Sequence, residues 1–372
     1  MVERIPAEVF PPGEYLADEL EERGWTQTEF AEIIRRPLKL VNEIIAARKA
    51  ITPETAREFS AALGSSPQYW LNLESAYQLW KTAPSPSEAI IAREAKLRER
   101  FPIREMLKSK WIEPSENFEV LEQRIFNFYG IENEDEEPQL LHAARRNYRE
   151  DFNALQEAWL FRVKQLASAL RVPLYSEKKL REAVGKLEPL MLDPEEIRHV
   201  PQILAECGVR FVIVEPIANS KIDGVCFWIN QNQGPVIGLT LKGDFIERFW
   251  FNLRHEIEHV LRGDGKTRIV IDDFEAMQED ETEKAVNKVA ANFCVPQDAL
   301  DDFIMRHDPM YSTTKFIGFS RLMKRHPGIV AGQLQHKIGR NDLFKKFQPR
   351  VREIITETAL TDGYGKTAPM DL

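Results

Sequence analysis

The stretch FNLRHEIEHVLRGD, residues 251–264, places His255 and His259 four residues apart with Glu256 between them. On a helix, residues four apart stand one above the other. Two imidazoles so placed can bind one Zn2+, and Glu256 then reaches a water on the metal. We take Leu253 as the reference direction, at about 100° per residue. Ile246, Phe249, Trp250, Ile257, Val260 and Leu261 then fall on its side, and His255 and His259 fall on the other with Arg248 and Arg262. The histidines are off the apolar stripe, which argues against a core role. A pair of surface histidines is the simpler alternative.

A catalytic zinc site takes three protein ligands and keeps one position open. Candidates for the third ligand lie in EDETEKAVNKVAANFCVP, residues 279–296, which reads as a second helix ending near Pro296. Glu279, Glu281 and Glu283 are all available there. Their alternative role is a solvated acidic turn. The other histidines (His142, His199, His307, His326, His336) have no ligand spacing.

Other elements of the chain must hold these residues in place. VRFVIVEP (209–216), GVCFWIN (224–230) and PVIGLTL (235–241) are β-rich runs bounded by Gly, Pro and Asn, and read as three strands. The helix with the two histidines follows, then more helices to about 357. TDGYGKTAPMDL at 361–372 reads as a loose tail. Residues 88 to about 185 read as mostly helical, with an acidic surface loop at 132–139. APSPSE at 83–88 reads as a linker.

Residues 1 to about 82 have a different texture. Leu16 and Leu20 mark an amphipathic helix that Gly24 follows. Thr26 opens a second helix, and Glu29 completes a capping box. Phe30, Ile33 and Ile34 form its core side. Pro37 suits the first turn of a third helix with Val41, Ile44 and Ile45 inward. Thr52 with Pro53, and Ser66 with Pro67, start a fourth and a fifth. Two short helices joined by a tight turn read as a helix-turn-helix.

Composition bounds the reading. The chain has 372 residues, 43% hydrophobic and 29% charged, which suits two or three domains with real cores. The net charge of −9 excludes a chain that coats nucleic acid along its whole length, so any DNA contact is local. Between Ile33 and Ala50, Arg35, Arg36, Lys39, Arg48 and Lys49 face only Glu43, a focused basic patch. Cys207, Cys226 and Cys294 lie far apart, as buried reduced thiols of a cytoplasmic protein would. No apolar run is long enough to span a bilayer, and no signal peptide is evident, so no membrane is expected.

Strands, H-E-x-x-H on a helix and then E-x-x-x-N-x-x-A-A-x-x-x-x-P together resemble the ImmA/IrrE family of metallopeptidases. Glu283, Asn287, Ala290, Ala291 and Pro296 match the second pattern. The resemblance implies His255, His259 and Glu283 as zinc ligands and Glu256 as catalytic base. The sequence departs from the common form at Ala285 and Val286. HPGIVAGQLQH (326–336) resembles a segment after the peptidase core in fused members, with packing as its expected role. The N-terminal stretches PGEYL, WTQTEFA, VNEIIAARKAITPETA and WLNLESAYQLW resemble the Xre superfamily and, within it, HigA-type antitoxins. The third helix is then the recognition helix, with Lys39, Asn42 and Glu43 near the groove and Gln27, Arg35 and Arg36 near phosphates. Arg35 and Arg36 stand where Gly and an apolar residue are usual.

These resemblances imply an α+β chain. It divides into an all-α helix-turn-helix domain (1–82), a linker and helical middle region (83–185), a zincin-like domain with a small sheet and the H-E-x-x-H helix (186–345), and a helix end and tail (346–372). They imply a DNA-binding regulator or antitoxin carrying a zinc endopeptidase that cuts a protein partner. The expected partners are double-stranded operator DNA of its own gene, a protein substrate or cognate toxin, and a second copy of the chain. A strand near VIGLTL is expected to pair with an extended substrate. The rival reading is a DNA-binding antitoxin whose metal site is structural or vestigial.

Overall fold

The fold is α+β, with helices at the N-terminal end and a small mixed sheet in the C-terminal part. A computed structural model describes residues 9–82, 85–140, 152–229, 234–266, 269–272, 281–363 and 365–368. The chain divides into two compact units, Met1–Ala92 and Arg93–Leu372.

In the first unit, five helices follow the expected punctuation: α1 (Pro12–Arg23), α2 (Gln27–Ile33), α3 (Leu38–Ile45), α4 (Pro53–Leu63) and α5 (Pro67–Lys81). Thr26 accepts the Glu29 N–H, and Glu29 accepts the Thr26 N–H at 2.7 Å, closing the capping box. Thr52 and Ser66 cap α4 and α5 by accepting the backbone N–H of Thr55 and Tyr69, without the reciprocal bond. Leu16, Phe30, Val41, Ala56, Phe59 and Trp70 are fully buried and form one core. Helices α1 and α3 approach closely, because Gly13 lies against the Ile44 carbonyl where a side chain would collide. Ile33 departs from expectation: it is 47% exposed, while Phe30 and Ile34 alone of that trio face the core. Helix α2 is only two turns long, and one apolar residue at its end overhangs the core edge.

The second unit starts within α6 (Pro86–Arg100) and continues through α7 (Ile103–Lys108), α8 (Phe118–Tyr129), α9 (Ala154–Ala169), α10 (Glu177–Leu187) and α11 (Val200–Glu206). Strands β1 (Arg210–Val214), β2 (Gly224–Trp228) and β3 (Pro235–Leu239) come next. Then follow α12 (Ile246–Arg262), β4 (Val270–Asp272), α13 (Glu281–Cys294), α14 (Gln297–His307), α15 (Thr313–Leu322), α16 (Pro327–Ile338), α17 (Arg352–Thr356), β5 (Leu360–Gly363) and β6 (Lys366–Ala368). The acidic stretch 132–139 is outside any helix or strand.

The sheet order is β4-β2-β3-β1-β5-β6. β1 runs parallel to β3 and β5, and the other pairs are antiparallel. Every residue of β1, β2 and β3 is buried, because both sheet faces are covered. Side chains alternate along a strand. Phe211, Ile213, Cys226 and Leu239 therefore pack on the side of α12, and Val212, Val214, Val225 and Phe227 on the side of α9.

Two expectations are corrected here. The described residues hold six strands rather than three. Residues 361–363 and 366–368 of the expected loose tail are strand, while 364 and 369–372 lie outside the described residues. β1 offers its outer edge to β5, and the Arg162–Asp362 ion pair ties β5 to α9. The expected substrate-docking strand near VIGLTL is β3, which pairs with β2 on one side and β1 on the other. It has no edge to offer. Among the described residues, no helix is long and apolar enough to cross a membrane.

Candidate metal centre and nucleic-acid interface

Helix α12 lays its apolar stripe against the sheet: Ile246, Trp250, Leu253 and Ile257 are buried there. Gly263, at φ 77°, ends the helix and donates to the His259 and Val260 carbonyls. The opposite face is not open to solvent. His255 is 1% exposed, and His259 and Glu256 are 0% exposed. Helix α13 covers that side. This removes the surface-histidine alternative.

Glu283 lies in the first turn of α13, and Asn287 stands one turn further on the same face. The outer nitrogens of the two histidines are engaged by acceptors. Nδ1 of His255 lies 2.9 Å from Oδ1 of Asn287, and Nδ1 of His259 lies 3.0 Å from Oδ2 of Asp264. Those partners place the ring protons on Nδ1 and leave the Nε2 lone pairs inward. The two Nε2 atoms are 2.9 Å apart. The Glu283 carboxylate is 3.4 Å from one and 3.5 Å from the other. Two inward lone pairs and a carboxylate that close repel one another unless a cation joins them, so this donor set fits a metal ion.

Glu281 stands apart with its side chain in solvent, paired with Lys284 at 3.0 Å. Glu279 lies outside the described residues. Of the described acids in this helix, Glu283 is the one brought to both histidines.

Three neighbours carry no role in the sequence reading. Asn287 was visible only as a matching letter in a pattern. Asp264 also accepts from Arg262 Nε at 3.2 Å, so a short chain of contacts runs from Arg262 to His259. Gly224, the first residue of β2, lies directly against the Glu256 carboxylate. HPGIVAGQLQH falls on α16, whose Ile329, Val330, Ala331 and Leu334 are fully buried, a packing role.

In the first unit, the proposed DNA residues gather on and before α3. Gln27 is exposed at the start of α2, and Asn42 is exposed on α3. Lys39 extends into solvent, 3.7 Å from the half-buried Glu43. Arg35 sits in the turn with φ 56°, the left-handed region that favours glycine. Arg36 is held within the unit, 2.8 Å from Glu58 and 2.7 Å from Glu54.

Fold and site thus define a helix-turn-helix protein joined to a metallopeptidase-like domain. A helix-turn-helix family model matches residues 16–70, and the peptidase M78 model, described as an IrrE N-terminal-like domain, matches residues 208–337. The uncharacterized HTH-type transcriptional regulator YddM of Escherichia coli (strain K12) is 35% identical over 68 residues, 18% of this chain and 72% of that protein. The chain belongs to the helix-turn-helix family and carries an IrrE-like peptidase M78 domain. Among solved structures, antitoxin GraA is 28% identical, covering 22% of this chain and 90% of its own, with a TM-score of 0.21. PA4674 of Pseudomonas aeruginosa, solved with its operator DNA, is 30% identical over 19% of this chain and 78% of its own, with a TM-score of 0.19.

Proposed function

We propose that this chain is an operator-binding regulator or antitoxin that carries a zinc-dependent endopeptidase acting on a protein partner. The observation that carries the peptidase reading is the convergence of two Nε2 atoms and the Glu283 carboxylate, with the buried Glu256 one residue from His255. His255, His259 and Glu283 hold the metal. A zinc ion there supplies a Lewis acid that polarises a peptide carbonyl and makes water nucleophilic near neutral pH. Glu256 accepts the proton of the attacking water and delivers it to the leaving amine. Asn287 and Asp264 keep the imidazoles in the metal-binding tautomer. An extended substrate needs a strand edge. Among the described residues, β4, next to β2, is an outer strand of the sheet, and it is the edge on which an extended substrate would pair.

The helix-turn-helix family match supports DNA binding by residues 1–82. Lys39, Asn42 and Glu43 face the groove, and Gln27, Arg35 and Arg36 lie toward the backbone. Recognition helices work in pairs at half-sites about 34 Å apart, so the bound form is a homodimer on a palindrome near its own gene.

The enclosure of both histidines favours a second reading, in which the metal is structural in a non-catalytic antitoxin. One experiment separates the two. Zinc content and cleavage of proteins encoded nearby are measured for the wild type, Glu283→Ala and Glu256→Gln. The peptidase reading expects zinc loss in Glu283→Ala, and retained zinc with cleavage reduced about 10²–10⁴-fold in Glu256→Gln. Undiminished cleavage by Glu256→Gln sinks that mechanism. Retained zinc with no cleavage by the wild type supports the structural reading.

A further inference from the structure

The outward face of α3 carries one residue whose chemistry the DNA reading above does not use. Val41 and Ile44 of α3 are buried, and Leu40 and Ile45 pack partly against the core. Leu38 does neither: it is 39% exposed and takes no part in that core. It is the first residue of the helix, after Pro37 in extended conformation. At about 100° per residue, Leu38, Lys39 and Asn42 share one arc of about 100° whose centre lies about 110° from Val41 and about 170° from Ile44, with Leu38 at the edge nearer Val41. Leu38 and Asn42 are four apart, and so are direct neighbours on that face.

The first turn of a recognition helix is the part that meets base edges. An exposed aliphatic side chain there has one match in the major groove, the 5-methyl group of thymine. Asn42, one turn on, has the amide that pairs with adenine. We propose that Leu38 is a specificity-determining residue that packs on a thymine methyl, beside the base pair that Asn42 reads. This rests on the DNA-binding reading above. Burying one methyl group is enough to change affinity about fourfold.

The test uses the full chain and a pool of random-sequence duplex DNA, from which bound molecules are enriched and sequenced. In the enriched duplex, each thymine is then replaced singly by deoxyuracil, which removes the methyl and keeps the pairing. The expected result is one position, repeated in each half-site, where replacement weakens wild-type binding about fourfold. Leu38→Ala should show that same loss on the thymine duplex and no further loss on the deoxyuracil duplex. If deoxyuracil is neutral at every position, or weakens wild type and Leu38→Ala equally, Leu38 does not read the methyl, although DNA binding stands. If no duplex is enriched, the DNA reading itself fails and the proposal with it. If Leu38→Ala keeps its DNA affinity but changes its mass in solution, Leu38 serves contact between copies and the proposal is overturned. The DNA replacement leaves the protein untouched, so a folding defect in the variant cannot hide the answer.

Discussion

Gly224 of β2 lies so close to Glu256 of α12 that a β-carbon there would collide with Oε1 and stand 3.0 Å from Cδ. The carboxylate proposed as the general base therefore rests on bare backbone. Gly224→Ala should push it aside without touching the metal donors. A displacement of about 1 Å at a reacting group costs about 10²-fold. We expect zinc content near wild type and cleavage reduced by that order. Normal cleavage by Gly224→Ala would show that Glu256 has room to spare.

The two histidines have outer partners of different charge, neutral Asn287 and anionic Asp264. Losing such a partner costs about 10–100-fold in metal affinity. Asp264→Ala should weaken zinc binding by that amount in competition with a chelator, and leave DNA affinity alone. Unchanged zinc affinity would reduce the Asp264 contact to a loop tether.

Glu247, in the first turn of α12, has a buried Oε2 with no hydrogen-bond partner among the described residues. Burial pushes its carboxyl from the ordinary 4.5 up to about 7, against smaller opposing pulls from its own backbone N–H and from Arg248. Between those values the folded chain holds a proton that the unfolded chain releases. Stability should therefore fall as pH rises from about 4.5 to about 7, then level off. The full effect is on the order of 3 kcal/mol at most. Denaturant titrations across that range should show the slope in the wild type and lose most of it in Glu247→Gln. An identical slope in both would place the titration elsewhere.

Arg35 adopts φ 56° in the turn between α2 and α3. A side chain costs about 1–2 kcal/mol in that region, while glycine loses about 0.5–1 kcal/mol of chain freedom on folding. Arg35→Gly should therefore stabilise the first unit by about 0.5–1 kcal/mol in thermal or chemical melts. It should also weaken DNA binding, if Arg35 meets a phosphate. A destabilised variant would mean that the arginine side chain holds the turn by contacts worth more than the strain.

Local chemistry made much of this readable in advance. The cap at Thr26, the break at Gly24 and the apolar stripe of α12 each depend on residues within a few positions of one another. What covers a helix face does not. Periodicity placed His255 and His259 off the stripe, but only the packing of α13 shows that they are enclosed. Gly224 and Glu256 are distant in sequence and meet because β2 passes beneath α12. Asp264 is near His259 in sequence, yet its bond depends on the reversal of the chain at Gly263. β5 is short and partly polar, and it becomes a strand by pairing with β1 on one side and β6 on the other. Ile33 misled the reading because a two-turn helix is too short to keep all its apolar residues inside.

The pairing of β1 with β5 also sets a timetable for synthesis. β1 is complete at Val214, and its partner on that side begins at Leu360. Ribosomes add about 5–20 residues per second, so the gap lasts on the order of ten seconds. During that interval a strand that is buried along its whole length in the finished fold has an unfilled hydrogen-bonding edge, the kind of feature that invites pairing with other chains. Residues 208–337 include the donors that converge on the metal site but not the strand that closes this edge. A nascent chain can thus own every metal donor while its sheet is still open, and that edge is covered only when residues 360–363 emerge.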